Sequence, residues 1–419
     1  MSIKTQSGKS KKTVVIGLSG GVDSSVAAKI LIDKGYNVIG LFMHNWEEEE
    51  SSCAACSSST DWQDAQAVAA KLGIKCYSLN FSKEYMERVF TYFLDEYKKG
   101  RTPNPDVLCN REIKFGPFSD YAKKLGADYV ATGHYCGVVN SAQCTFSNAH
   151  FPMHNAQCMS NVATNEPSRH SNANNNEPNN SNNCALSIEH CALLVKALDQ
   201  TKDQTYFLNQ VRTEQLSNVI FPLANLPKSE VRAIAEREGL VTARKKDSTG
   251  ICFIGERKFK EFLKTYLPAQ SGNIVDLSGK VLGKHDGLIY YTLGQRKGFG
   301  LGGVKGEGQN RWFVVKKDLE KNQLVVSNGE ADILFSSQLI ASNINYIGEF
   351  DYTKPYRAEA KCRYSQTAAP CTVTHIKDNL GNITKNATIV FDTPQRAITP
   401  GQYVVLYLED RCLGGGVID

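Results

Sequence analysis

The 419-residue chain lacks any uninterrupted apolar run long enough to cross a bilayer, and residues 1–13 contain lysines but no apolar stretch of the kind found in secretory signals. We therefore expect no membrane partner and a cytoplasmic location, where its 13 cysteines would be thiols by default. The formal net charge is only +5, which neither demands nor opposes a nucleic-acid partner. At 41% hydrophobic content, the chain can bury the cores of two or three domains.

Metal-binding patterns are also missing. Cys53-Ala54-Ala55-Cys56 is the only Cys-x-x-Cys pair in the chain, and no second pair follows it at the spacing of a zinc site. Four histidines and four cysteines lie between residues 140 and 191, at spacings that match no zinc finger or ribbon. We therefore predict no metal ligands among the site residues. The residues of that segment are His150, His154, His170, His190, Cys144, Cys158, Cys184 and Cys191.

The same segment, about 140–191, has no helical or strand periodicity. Ten of the 23 residues from 161 to 183 are asparagine. Such a polar tract cannot bury enough apolar surface to offset the entropy lost on ordering. We predict a disordered insertion at this place.

The most informative stretch is Ser19-Gly20-Gly21-Val22-Asp23-Ser24-Ser25, which follows the short β-branched run 14–18. A strand, a glycine turn and a helix N-terminus together bind phosphate, because backbone N–H groups and the helix dipole converge on the anion. The loop contains no lysine and is therefore not a Walker A motif. The triplet Gly8-Lys9-Ser10 does not replace it, since Ile3 stands where the first Walker glycine would be.

Predicted strands and helices alternate up to about Leu240, and glycines follow several of the helices as C-terminal caps should. This rhythm predicts an α/β fold with a doubly wound parallel sheet, whose ligands lie at the carboxyl ends of the strands. After Lys258 the segments become short and β-rich, with 288–292 among the predicted strands. We predict an α/β domain at 1–258, interrupted by the insertion, a small β-rich central domain at 259–329, and a C-terminal β-barrel at 330–419.

Two cysteines lie in sequence contexts unlike those of core residues. Cys109 follows the stiff, proline-containing stretch 102–105, which we expect to present Asp106 and Cys109 at the start of a helix, where the dipole favours a thiolate. Cys252 lies after Lys245 and Lys246, which would have the same effect. By contrast, Cys76 and Cys136 are interpreted as inert core residues.

Residues 244–264 contain seven basic and three acidic side chains. Such a face would attract a phosphate backbone, although a solvated helix surface explains the charge equally well.

At this point the motifs form a specific pattern. The loop 17–24 and the stretches 104–110, 131–135, 202–204, 247–252, 291–298 and 413–416 are similar to those of the tRNA-specific 2-thiouridylases, which carry the pyrophosphate loop of ATP pyrophosphatases. The resemblance covers essentially the whole chain except 140–191. It implies that the domain at 1–258 is the pyrophosphate-loop ATP-binding catalytic domain and that the barrel at 330–419 contacts tRNA.

This resemblance implies that ATP adenylates the C2 oxygen of the wobble uridine, position 34, in certain tRNAs, and that a cysteine persulfide then delivers sulfur to give 2-thiouridine. It implies Cys252 as the persulfide carrier, Cys109 as its partner thiol and Asp106 as a nearby acid or base. The ATP-binding residues it implies, with Mg²⁺ as cofactor, are Gly17, Leu18, Ser19, Gly20, Gly21, Val22, Asp23, Ser24, Met43 and Gly133. The residues it implies at the target base are Asn104, Pro105 and Asp106, and those at the tRNA are Lys202, Asp203, Gln204, Arg363 and Tyr364.

The implied partners are tRNA and a persulfide donor, either a sulfur-relay protein or a cysteine desulfurase, and we expect a monomer.

Two rival functions use the same loop. A pyrophosphate-loop ligase would add nitrogen to an adenylated small molecule, but it needs neither paired cysteines nor an all-β tail. A tRNA-binding sulfur carrier would not need an intact ATP loop. An iron–sulfur cluster on Cys109, Cys252 and Asp106 is not favoured, because two thiolates and one carboxylate are an incomplete ligand set.

Overall fold

The structure is a computed structural model that describes residues 11–46, 56–140, 192–247, 259–301 and 311–419. The Cys-x-x-Cys motif at 53–56 in part, the insertion at 141–191 and Cys252 with its neighbours 248–258 lie outside the described residues. Within the described ranges, none of the helices has the length and apolar character needed to span a membrane.

A five-stranded parallel sheet forms the first layer, in the order β3-β2-β1-β4-β7. The chain runs outward from β1 to β3 and then returns to place β4 on the other side of β1. The strand order therefore reverses between β1 and β4, which is where open α/β sheets bind their ligands. The strands are β1 (Thr13–Gly17), β2 (Asn37–His44), β3 (Lys75–Asn80), β4 (Tyr129–Ala131) and β7 (Val219–Ile220).

Helices cover both faces of this sheet, because the buried strands are apolar on both sides. Val14 and Ile16 of β1 pack with Val26 of the first helix, whereas Val15 between them faces a second cluster that includes Cys109 and Phe118. The doubly wound fold predicted from the sequence is confirmed. The helices are α1 (Val22–Asp33), α2 (Cys56–Leu72), α3 (Ser82–Tyr85), α4 (Thr91–Lys98), α5 (Pro105–Cys109), α6 (Pro117–Lys124) and those at Thr213–Leu216, Lys228–Arg237 and Phe259–Tyr266, with π-helical turns at Met86–Phe90 and Asn110–Lys114.

A four-stranded sheet follows, in the order β10-β11-β8-β9, packed around Ile274, Val314 and Leu324. Its strands are β8 (Gly272–Val275), β9 (Val281–His285), β10 (Trp312–Asp318) and β11 (Gln323–Asn328). The last part of the chain closes into a six-stranded antiparallel barrel, because β12 pairs with both β15 and β17. The barrel strands are β12 (Phe335–Tyr346), β13 (Tyr356–Lys361), β14 (Ala369–Lys377), β15 (Ile383–Arg396), β16 (Tyr403–Leu408) and β17 (Arg411–Ile418).

The barrel sheet continues into the first part of the chain. Strand β6 (Ala192–Val195) pairs with β17 of the barrel, and β5 (Gly137–Asn140) pairs with β6. Leu194 lies opposite Cys412, and both are fully buried. A continuous hydrogen-bonded sheet therefore joins the parallel-sheet region to the barrel.

The β-rich region differs from the sequence-based expectation at one predicted strand and at strands β9, β12 and β17, which were not predicted. Residues 288–290 form a 3₁₀ turn rather than a strand, because Gly287 at φ +137° starts a turn that the Tyr290 hydroxyl anchors with a 2.6 Å hydrogen bond to the Leu267 carbonyl. Strand β17 escaped prediction because its glycines 414–416 are poor strand formers. A β-carbon at Gly414 would collide with the Asn345 carbonyl oxygen, and one at Gly415 with the Val404 carbonyl oxygen, so the glycines permit close backbone packing.

The two strands that flank the insertion are hydrogen-bonded neighbours. Asn140 lies opposite Ala192 in the β5–β6 register, so a two-residue hairpin turn has the geometry to connect them. We predict that replacing residues 141–190 with a short Gly/Ser linker leaves the melting temperature and the implied thiolation nearly unchanged. Thermal denaturation and thiolation assays check this.

The matched comparison is Leu194→Ala in β6, which removes fully buried side-chain atoms and should cost about 2–5 kcal/mol. If the linker variant lost as much stability as Leu194→Ala, the segment would be part of the folded core and our interpretation of its composition would be wrong.

Candidate functional site

The glycine loop connects β1 to α1 as predicted. Gly21 is the N-cap of α1, and no side chain caps this helix. The serines brace the loop from within, because the Ser24 hydroxyl accepts a 3.2 Å hydrogen bond from the Ser19 N–H and donates to the Gly21 carbonyl. An uncapped helix N-terminus after a glycine turn leaves backbone donors directed at an anion.

Two glycines let neighbouring backbones approach this loop. Gly20 has φ +71°, and a β-carbon there would collide with the carbonyl oxygen of Asp61 in α2. A β-carbon at Gly133, which follows β4, would lie 2.8 Å from the Ser24 backbone nitrogen. The loop after β1 and the chain after β4 therefore meet at the point where the strand order reverses. Met43 lies half-buried near the carboxyl end of the adjacent β2.

Asp23, in the first turn of α1, is held by two partners from elsewhere in the chain. Its Oδ1 accepts a 2.8 Å hydrogen bond from the Tyr135 hydroxyl, and both carboxylate oxygens contact Lys228 Nζ at 2.6 and 2.8 Å. The Lys228 side chain is only 13% exposed. A largely buried cation therefore lies beside the loop 19–25, which itself contains no lysine or arginine.

A second lysine reaches the other side of the loop. Lys245 Nζ donates to the Gly20 carbonyl at 3.0 Å and to Asp61 of α2 at 2.7 Å, and it also bonds Asp64. Sequence reasoning missed Lys228 and Lys245 because they lie more than 200 residues from the loop. The available signal was the position of Lys228 directly after Pro227, at the start of a helix.

Asp247 gathers three cations at the same place. Its Oδ1 contacts Lys228 at 2.8 Å and Arg232 at 2.7 Å, and its Oδ2 contacts Lys202 at 3.0 Å. Burial alone would raise the pKa of Asp247, but the hydrogen bonds from Lys228 and Lys202 outweigh it and lower the pKa to about 2. A carboxylate therefore links Lys202, an implied tRNA contact, to Lys228, the partner of Asp23.

The segment at 101–109, which ends at Cys109 and is called the cysteine loop below, agrees with the prediction at its start and differs from it at its end. Asn104 caps α5 by accepting a 3.1 Å hydrogen bond from the Asp106 N–H, and Asp106 lies in the first turn. Cys109 lies at the end of α5, one turn further in, and is fully buried. Cys109 therefore lies beyond the first turn, within which the dipole effect falls off, and the favoured thiolate stays a prediction.

The barrel holds the start of this loop in place. The Thr102 N–H donates to the Pro400 carbonyl at 2.8 Å, and Gln402 Nε2 donates to the Thr102 carbonyl at 2.7 Å. Arg101 reaches the Ile418 carbonyl at 2.8 Å and pairs with the buried Glu96. The segment leading to Asn104 is therefore fixed from two directions.

The implied tRNA residues form internal contacts of their own. Asp203 is buried and accepts hydrogen bonds from the Ala197 N–H and the Thr205 hydroxyl, and burial raises the pKa of Asp203. Gln204 exchanges two hydrogen bonds with the backbone of Tyr135, at 2.8 and 3.0 Å. Lys202 keeps 40% of its side chain exposed.

The barrel residues Arg363 and Tyr364 contact different parts of the chain. One terminal nitrogen of Arg363 donates to the carbonyls of Leu293 and Ala397. The Tyr364 ring packs on Phe207 at 4.6 Å between centroids, and the Phe207 carbonyl accepts a 2.9 Å hydrogen bond from Asn110, next to Cys109. Tyr364 is therefore connected, through Phe207 and Asn110, to the end of α5, where Cys109 lies.

The other described cysteines have the character of core residues. Burial raises the pKa of Cys136 well above its ordinary value, raises that of Cys76 to about 11, and raises those of Cys362, Cys371 and Cys412 to about 12. Their thiols are poor nucleophiles at neutral pH.

The Asp247 network yields a prediction about stability and pH. The pKa of Asp247 is lower in the folded chain than its ordinary value of 3.8, so its contribution is fully present well above pH 4 and is lost as pH falls through about 2. Asp247→Asn should lower the melting temperature at pH 7 by about 2–4 °C, for a partly exposed network worth about 1 kcal/mol. The difference between variant and wild type should shrink at pH 3.

Thermal denaturation at pH 7, 5 and 3 checks this, with Asp33→Asn as control, since Asp33 belongs to an exposed pair with Lys29 on α1. A difference for Asp247→Asn that stayed constant down to pH 3 would contradict the assigned ion pairs.

Comparison with known proteins agrees with this architecture. Family models match in chain order: a tRNA methyl transferase HUP domain at 12–164 and 174–256, a tRNA methyl transferase PRC-barrel domain at 260–328, and an aminomethyltransferase beta-barrel domain at 336–418. The tRNA-specific 2-thiouridylase MnmA of Pseudomonas fluorescens is 47% identical over 98% of this chain and 94% of its own length. The proteins of that name from Staphylococcus carnosus and Levilactobacillus brevis are 49% and 48% identical, over 97% and 98% of this chain and 95% and 96% of their own. At this identity and coverage, the chain belongs to the tRNA-specific 2-thiouridylase MnmA family.

Proposed function

We propose that this chain is an ATP-dependent tRNA-uridine 2-sulfurtransferase that converts the wobble uridine of certain tRNAs to 2-thiouridine. The observation that carries the proposal is the uncapped, glycine-lined helix N-terminus at 19–24, in a chain that belongs to this family throughout its length. A ligase that adds nitrogen would use the same loop but would have no use for the barrel that fixes the segment before Asn104.

The first step activates the base. The C2 oxygen attacks the α-phosphorus of ATP and pyrophosphate leaves, which turns a poor leaving group into AMP. The N-terminus of α1 fits a polyphosphate, since it has no side-chain cap and a β-carbon at Gly133 would crowd the Ser24 N–H. Met43 and Gly133 are proposed to contact the adenosine. Lys228, which contacts Asp23 in the first turn of α1, is proposed to balance charge on pyrophosphate. Mg²⁺ bound to the phosphates would supply further charge neutralisation, with Asp23 as the nearest loop carboxylate.

The second step transfers sulfur. The terminal sulfur of a persulfide on Cys252 attacks C2 and AMP leaves, after which the Cys109 thiolate attacks the Cys252 sulfur. This forms a Cys109–Cys252 disulfide and leaves the sulfur on the base. Asp106, half-buried in the first turn of α5, is proposed to move the proton, and Asn104 and Pro105 to contact the extruded base. An external thiol would then reduce the disulfide.

The finer assignments are also proposals. The persulfide donor is a cysteine desulfurase or a sulfur-relay protein, Lys202–Gln204 and Arg363–Tyr364 contact the tRNA, and the enzyme acts as a cytoplasmic monomer. The persulfide route needs no iron–sulfur cluster. What supports the tRNA assignment is the exposed part of Lys202 and the packing of Tyr364 on Phe207, next to the Asn110 anchor.

The ATP step is tested at Asp23. Asp23→Ala removes the carboxylate that holds Lys228 and Tyr135 beside the loop, so tRNA-dependent release of pyrophosphate and AMP should fall at least a hundredfold, on the scale of losing one positioned charge at a reaction centre. Affinity for tRNA should be unchanged. In cells that lack this protein, the variant should fail to restore 2-thiouridine derivatives in bulk tRNA, as measured by nucleoside mass spectrometry.

Asp33→Ala is the matched control, because it removes an exposed carboxylate from the other end of the same helix. Normal AMP release by Asp23→Ala would refute the loop assignment. If 2-thiouridine persisted in cells without the protein, the proposed function itself would be wrong.

The sulfur step is tested by separating the two cysteines. Cys252→Ser and Cys109→Ser should both block thiolation. Only Cys252→Ser should lose the protein persulfide that alkylation traps after loading with a cysteine desulfurase, because Cys109 acts after the persulfide has formed. Adenylated tRNA should form in both variants, since activation of the oxygen needs no thiol.

Cys76→Ser is the control, since Cys76 lies half-buried on β3 and burial raises the pKa of its thiol to about 11. A trapped persulfide on Cys252→Ser, or normal thiolation by Cys109→Ser, would rule out the two-cysteine mechanism.

A further inference from the structure

A cavity of about 540 Å³ opens where the four-stranded sheet meets the barrel, well away in sequence from the ATP loop. Its lining consists of Gly294, Arg296, Arg311, Phe313, Glu330 and Arg396. The lining therefore contains three arginines and one carboxylate, and Gly294 has no side chain that would narrow the space. A β-carbon at Gly294 would lie 3.1 Å from a terminal nitrogen of Arg396. We call this cavity the arginine pocket.

Only one of the three arginines is neutralised. Arg396 pairs with Glu330 at 2.6 Å, and the Phe313 ring supports its guanidinium at 5.1 Å from the ring centroid. Arg296 and Arg311 are exposed, and neither has a carboxylate partner within the ranges that the structure describes. Unpaired guanidinium groups around one cavity create a positive potential that an anion can lower. Their planar fork suits the oxygens of a phosphate group.

Arg363 fixes the wall of this pocket rather than lining it. Its terminal nitrogen donates to the carbonyls of Leu293 and Ala397 and to the Thr399 hydroxyl, at 2.8–3.0 Å. These bonds join the turn before Gly294 to the chain after Arg396. The Arg363 side chain therefore holds the pocket wall in place, and the basic side chains that line the cavity are those of Arg296, Arg311 and Arg396.

We infer that the arginine pocket binds backbone phosphates of the tRNA body, at a distance from the reacting base. The inference rests on the proposed function, since it assigns a further contact surface to the same substrate. The pocket carries none of the hydrogen-bonding amides or carboxylates, apart from the paired Glu330, that a site reading base edges would present. It should therefore contribute affinity without sequence preference.

The test measures how tRNA affinity depends on salt. Each lost phosphate contact should reduce the slope of log Kd against log salt concentration by about 0.7–1. In the full chain, Arg296→Gln should reduce the slope by one such contact, and the triple variant Arg296→Gln/Arg311→Gln/Arg396→Gln should reduce it by about 2 and weaken binding at moderate salt roughly tenfold. KM for tRNA should rise, with kcat and KM for ATP unchanged.

Arg357→Gln is the matched control, because Arg357 is an exposed barrel arginine that pairs with Asp392 at 2.6 Å, as Arg396 pairs with Glu330. Arg296→Gln breaks no described ion pair, so it gives an answer even if the triple variant folds poorly. Unchanged slopes in the pocket variants, an equal loss in Arg357→Gln, or a loss of ATP affinity instead of tRNA affinity would each overturn the inference. Failure of the wild-type protein to bind tRNA would instead contradict the proposed function.

Discussion

The pairing of β6 with β17 is the constraint on which the arrangement of the site depends. It places Leu194 opposite Cys412 in the interior and makes the barrel an extension of the catalytic region rather than a tethered module. Barrel residues can then reach the cysteine loop, as Gln402 does when it donates to the Thr102 carbonyl. A flexible linker between two independent domains could not hold these partners in a fixed geometry. The barrel therefore positions the proposed target-base loop, in addition to any part it takes in gripping RNA.

Asp23 links the polar contacts around the ATP loop, as the β6–β17 pairing links the two sheets. Through Tyr135 it is connected to Gln204, and through Lys228 and Asp247 it is connected to Lys202. The segment implied to contact tRNA thus reaches the first turn of the ATP-loop helix by two separate paths. Because contacting charges are not independent, Lys202 and Asp23 belong to one network of ion pairs.

The sequence was sufficient for those features that are local in the chain. The strand, glycine turn and helix at 13–33 follow from short-range propensity, and the βα alternation predicts the parallel sheet and the edge where ligands bind. Contacts between distant segments were not predictable, because Lys228 and Lys245 become neighbours of the loop only when the chain folds. The glycine-rich β17 was hidden for a different reason: close backbone packing selected residues with low strand propensity. The position of Cys109 depends on where its helix starts. Because Asn104 caps the helix, Cys109 lies one turn beyond the helix N-terminus.

The proposed site residues differ in how deeply they are buried. Cys109, the proposed partner thiol, is fully buried among the apolar side chains of the sheet's second face. Arg296 and Arg311 of the arginine pocket are exposed and Arg396 is partly exposed, so the phosphate binding inferred for them would release counterions with little desolvation. Arg363 lies between these extremes, and burial lowers its pKa while it ties the turn at Leu293 to the barrel. The proposed partner thiol and the inferred phosphate-binding arginines therefore lie in opposite environments, and the continuous sheet through β6 and β17 joins the parts of the chain that carry them.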